Sequence, residues 1–152
     1  MSTPRGEVID IAGLVWDGGA PMPVLIATDY RTLFACYLPN DDDRVVVGEF
    51  ERCTSVRLGL PNDEVVHGHP CGKDLMHYGV HVIHDSPWVQ ELRQIESVHR
   101  QAAEHPLAWS RHYFLTFHDS SLEAVAVGLG VVDEFASMGE AVAAMIAMAN
   151  PG

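Results

Sequence analysis

Over residues 44–58 the side chains alternate. Val46, Phe50, Thr54, Val56 and Leu58 fall on one face of an extended chain, and Glu49, Glu51, Ser55 and Arg57 fall on the other. A helix cannot satisfy a period of two, so this stretch constrains the fold more than any other. It predicts one long strand, dry on one side and wet on the other, as in antiparallel sheets. Its neighbours agree. Residues 8–11 read as a short strand, and residues 24–27 and 32–38 flank a polar turn at 28–31 as the arms of a hairpin would. The turn chemistry of 39–43, with its acidic triplet, marks a solvated loop tip. Further strands are expected at 78–84, 111–118 and 122–127.

Two helices complete the pattern. Ser86 is placed to cap a helix and Pro87 suits its first turn; the inward stripe would be Trp88, Leu92, Ile95, His99 and Ala102. A capping box, Ser137 with Glu140, opens a second helix that Asn150 and Pro151 stop. From 141 to 149 that helix is apolar on every side, so it is buried in the fold or packs on a second copy in a homodimer. The expectation is a single α+β domain over 1–152. It is mainly antiparallel sheet or a partly open barrel, with one mid-chain helix and one C-terminal helix.

Composition narrows the function. The net charge is −12 with only nine Lys and Arg, which argues against nucleic acid and anionic membrane as partners. There is no apolar leader and no run of about 18 apolar residues, so no membrane span is expected. Cys36, Cys53 and Cys71 show no CxxC spacing and cannot all pair, which fits a reduced, cytoplasmic protein in which each is a small buried or half-buried residue.

All nine histidines fall between His67 and His118. Histidine serves as base, acid or metal ligand near neutral pH, so the functional region is expected within 62–123. A turn at Ser120 and Ser121 would set His118 beside Glu123 across a hairpin, with Thr116 and Val125 as the next pair. A carboxylate fixes the tautomer of an imidazole beside it, which suits a general base. The second candidate is the loop PNDEVVHGHP, residues 61–70, inside a long irregular stretch of the kind that is uncommon unless functional. Asp63 and Glu64, with Asp119 in the hairpin, are candidate acid/base groups. His67 and His69, two apart, would point the same way if extended and hold a divalent transition metal. Asn62, Trp88 and His112 are candidate substrate contacts. His99 reads as a satisfied core histidine, and His105 as a loop residue.

The blocks PNDEVVHGHP, DSPW and HYFLTFHDSSLE, spanning roughly residues 55–127, resemble a family of small bacterial proteins with no assigned activity. The resemblance implies that Asn62, Asp63, Glu64, His67, His69, Trp88, His118, Asp119 and Glu123 belong to shared motifs, and it implies no reaction. Asp85 stands where the pattern has Asn, Leu122 where it has an aromatic residue and Ala124 where it has Cys.

These readings point to a small enzyme acting on a small molecule through a histidine/carboxylate site, by acid/base or metal-assisted chemistry, with both segments facing one pocket. The rival is a non-catalytic ligand-binding, immunity or accessory protein, in which the histidines serve the fold.

Overall fold

The computed structural model describes residues 3–39 and 43–150. The first two of the three acidic residues at 41–43 lie outside them. Two antiparallel sheets face each other. The first has the order β1 (Arg5–Ile9), β6 (Val80–His84), β7 (Arg111–Thr116), β8 (Ser121–Ala126), β5 (Ser55–Gly59); the second runs β2 (Val24–Ala27), β3 (Thr32–Tyr37), β4 (Val45–Glu51), β9 (Gly128–Phe135). The expected α+β architecture, mainly antiparallel sheet with helices α1 (Pro87–Glu96) and α2 (Met138–Ala149), is present. The sheets do not close into a barrel.

Alternation along the strands assigns every face. Phe34, Cys36, Val46 and Phe50 of the second sheet meet Val82, Tyr113, Leu115, Leu122 and Ala124 of the first, and Trp16 and Phe117 close one end of this core. The odd positions of β3 and β4 (Leu33, Ala35, Val45 and Val47) point the other way and pack under Ala141, Met145 and Ala149 of α2. The helix expected to be apolar all round therefore buries one face and leaves Ile146 55% exposed on the other. Gly48 is required by the core: a Cβ there would collide with the Phe34 ring. Cys36, Cys53 and Cys71 are free thiols. No described helix is long and apolar enough to cross a membrane.

Three elements differ from expectation. The alternating stretch 44–58 is not one strand. It breaks at Arg52, whose φ of 47° turns the chain out of the second sheet and into the first, so β4 pairs with β3 and β9 while β5 pairs with β8. Beyond the corner Val56 still packs on the core, but Thr54 and Leu58, expected on the same dry face, are exposed, and Cys53 within the corner turns inward. The strand β9 was not expected, since its glycines and acidic residues weaken the pattern. In α1 the buried residue is Val89, with Trp88 and Leu92 half-buried; Ile95 is exposed, and the helix ends before His99, which lies exposed in the following loop.

The outer face of the first sheet positions the candidate site. β7 and β8 present His112, Phe114, Thr116, Ser121, Glu123 and Val125 there, all buried. Two covers lie over them: α1 with Leu107, packed on Val125, and the 61–76 segment, which seats Val66, Cys71 and Leu75 on Ile83 and Phe114.

Candidate functional site

Strand register brings three charged or polar groups into a row. Arg57 of β5 lies directly across from Glu123 of β8, and Glu123 is paired on its other side with Phe114 of β7. The Glu123 carboxylate therefore reaches diagonally to His112, two residues along β7, and its Oε1 lies 2.7 Å from His112 Nε2. Arg57 reaches both oxygens of the same carboxylate, Nε to Oε2 and Nη2 to Oε1, each at 3.0 Å. On the far side of the ring, His112 Nδ1 lies 2.7 Å from Ser86 Oγ. Ser86 follows β6 and Asp85, whose φ of 54° makes the sharp turn that starts α1. Its Oγ accepts from Val89 N–H at 3.2 Å, as an N-cap does.

Donors stand at both ends of this chain. Val89 N–H and the Arg57 guanidinium can only donate. In the tautomer with its proton on Nε2, His112 donates to the Glu123 carboxylate and its Nδ1 accepts the Ser86 hydroxyl proton. Burial alone would raise the Glu123 carboxyl, but the hydrogen bonds from His112 and Arg57 outweigh it and hold the group below its ordinary 4.5. Ser86, His112 and Glu123 are 4%, 3% and 3% exposed. Trp88 walls the row: its ring edge meets His112 with centroids 5.1 Å apart, and the Arg57 guanidinium lies 4.1 Å over its face. The serine end opens on a cavity of about 210 Å³, lined by Ser86, Gln90, Arg93, Ser110, Arg111 and His112 among others.

A second grouping lies at the other end of β7. The main-chain turn falls at His118 and Asp119, with Phe117 N–H donating to Ser120 O. The expected pairing of His118 with Glu123 is therefore replaced by Thr116 with Ser121 and Phe114 with Glu123, partners four residues away. Parity was preserved, so each side chain stays on the expected face; the tighter register sets fully buried Leu115 against fully buried Leu122. His118 instead meets the 61–70 loop. Its Nδ1 lies 2.7 Å from Asp63 Oδ2, and Asp63 N–H donates to His118 O. The Tyr78 hydroxyl donates to the same carboxylate at 2.8 Å and, with His118, lowers the Asp63 pKa. Asp119 is exposed, its Oδ1 3.8 Å from His118 Nε2.

The loop and the hairpin thus meet, but through Asp63 and His118 and without Glu123. The remaining candidates serve the backbone. Asn62 Oδ1 accepts from the Glu64 and Val65 amides, and Glu64 is exposed in that turn. His67 and His69 do not point the same way, because residues 66–68 form a 3₁₀ turn and not an extended chain. His67 Nδ1 lies 3.0 Å from Gly72 O, whereas His69 packs edge-on against Phe114. Among the described residues no three His, Cys, Asp or Glu side chains converge as metal ligands would. His69, His99 and His105 share one device: Nδ1 accepts the amide proton of the residue two ahead, as an Asn or Asp side chain does in a turn. His81 is fully buried, with Nε2 accepting from Met76 N–H and Nδ1 donating to Phe114 O.

Sequence reading missed Arg57, Ser86 and Tyr78 as members of these groupings. Ser86 was legible as a cap, and its position at a strand–turn–helix junction was a usable signal. Arg57 could be placed on the polar face of its strand but not opposite Glu123. No known family, curated protein or solved structure matches the chain.

Proposed function

We propose that the chain is a small enzyme that carries out acid/base chemistry on a small molecule seated in the Ser86–His112 cavity. One observation carries this reading: two hydrogen bonds of 2.7 Å join Ser86, His112 and Glu123 into a single proton path, and the serine end of that path lines a cavity. A buried helix cap needs one acceptor oxygen. It does not need an imidazole and an ionised carboxylate behind it, and burying that carboxylate is costly unless it is fully hydrogen-bonded. Of the two chemistries expected, the acid/base one is supported by the geometry, because the imidazole lies between a hydroxyl at one nitrogen and a carboxylate at the other, each at 2.7 Å. The cavity is smaller than the roughly 300–1,000 Å³ of pockets that take drug-sized ligands, so the substrate is small.

The rival reading, a non-catalytic binding or accessory protein, draws on the fact that Ser86 also caps α1. The two separate by fragment binding followed by NMR. Under the enzyme reading, fragments shift the amides of Ser86, Gln90, Arg93 and Ser110, and E123Q abolishes any turnover while the variant still folds. Binding that survives E123Q with no turnover of any bound fragment favours the rival. Binding confined to other surfaces sinks the enzyme reading.

A further inference from the structure

Ser86 carries more than a relay needs, and we infer that it is a nucleophile toward a small acyl ester or thioester that bears a negative charge. The inference rests on the acid/base reading above and names its substrate class. Three observations support it. First, the hydroxyl proton already lies on the path to its acceptor, His112 Nδ1 at 2.7 Å, and Glu123 stands ready to pair with the imidazolium that forms. In the familiar serine–histidine–acid arrangement the serine faces Nε2; here the ring is turned over, and the order of the groups is kept. Second, Ser86 caps the N-terminus of a ten-residue helix with Val89 N–H 3.2 Å from its Oγ, so the amide and the positive helix end stabilise the partial negative charge that Oγ gains as its proton leaves. Third, the cavity wall is cationic in a chain of net charge −12: Arg93 and Arg111 line it against the single carboxylate of Asp85. Arg93 is held in place by the carbonyls of Leu107, Ala108 and Ser110.

The step balances with water as the only co-reactant. Ser86 Oγ bonds to the acyl carbon as its proton passes to His112 Nδ1. The bond from that carbon to the leaving oxygen or sulfur breaks, and the leaving group takes the proton from Nδ1. Water then adds to the acyl-serine, giving its proton to Nδ1. The bond to Oγ breaks, Ser86 regains the proton, and a carboxylic acid leaves. Glu123 and Arg57 do not touch the substrate; they are positioning residues.

The test treats the whole protein with a small alkyl fluorophosphonate, followed by intact mass and peptide mapping. The expected result is one adduct, on Ser86, formed roughly 10²-fold or more slowly in E123Q. In parallel, p-nitrophenyl hemisuccinate is expected to give a burst of one equivalent of nitrophenolate and to outpace p-nitrophenyl acetate, a preference that R111Q abolishes. Because S86A removes a helix cap, S86C serves as the second variant: it keeps the cap geometry and is expected to trap a slowly hydrolysed thioester. Absence of an adduct on Ser86 in the folded protein, or equal labelling of E123Q, overturns the proposal. Fragment shifts at Ser86 without an adduct overturn the nucleophile and leave the acid/base reading standing; absence of both overturns both.

Discussion

Arg57 and Glu123 face each other across β5 and β8 with two hydrogen bonds of 3.0 Å, although the carboxylate is buried and the Arg57 side chain is 53% exposed. Half of the pair is therefore open to water, and its Coulomb energy is screened. What Arg57 mainly does is satisfy an acceptor that water cannot reach. R57A should destabilise the fold by about 1–3 kcal/mol, the cost of leaving a buried acceptor short of a partner, and R57K by less. Urea unfolding checks this; equal stability of R57A would show that the pair is idle.

S86A removes the cap on Val89 N–H, for which about 1 kcal/mol is expected, and also orphans His112 Nδ1. Its loss should therefore exceed that of an ordinary cap. S137A, at the exposed cap of α2, is the matched comparison, and a smaller loss for S86A than for S137A would contradict the relay.

Acid should weaken the fold in two stages. Burial lowers the His81 pKa below its ordinary 6.5, so below that value the unfolded chain binds more protons than the fold. Stability from this group is full above about 6.5 and is lost as pH falls through the folded value. Glu123, also depressed, adds its contribution above its ordinary 4.5 and loses it below. Urea midpoints between pH 7 and pH 3 should fall through both windows. An NMR titration placing His81 above 6.5 would refute the first stage.

G48A should cost about 1–3 kcal/mol, because Phe34 must leave its rotamer or the strands must part to admit the methyl group. Thermal unfolding measures it, and G130A, where a Cβ meets nothing within 4 Å, is the control in the same strand pair.

H118A should release the 61–63 segment without touching the relay. Amide exchange at Asp63, which donates to His118 O, should accelerate, while exchange at Phe114 stays unchanged. Glu123 pairs with Phe114 inside β7, whereas His118 lies in the turn beyond Thr116 and bonds Asp63, so H118A and E123Q share no partner and should act additively.

Much of the fold was legible because alternation assigns faces residue by residue. Tyr113, Leu115 and Phe117 are inward, and His112, Phe114 and Thr116 outward, as the pattern of β7 requires. The caps at Ser86 and Ser137 were legible because capping is local. The candidate site was legible in its members and not in its pairings. A hairpin register shifted by four residues keeps every face and changes every neighbour, so Glu123 was given to His118 when it meets His112. The count of histidines also overstated the chemistry: His69, His99 and His105 brace turns, and His81 braces a buried strand. An imidazole that accepts one amide proton leaves no trace in sequence to separate it from one that moves protons.

The relay joins positions far apart in the chain. Its bonds link residues separated by 66, 26 and 11 positions, so three loops of unequal length must close before the proton path exists. The entropy of closing them falls on the folding transition as a whole, and no local fragment can form the site in advance. A partly unfolded state that has released α1 has lost the Ser86–His112 contact, and one that has released β5 has left Glu123 without Arg57, so only the completed fold holds the whole row of bonds.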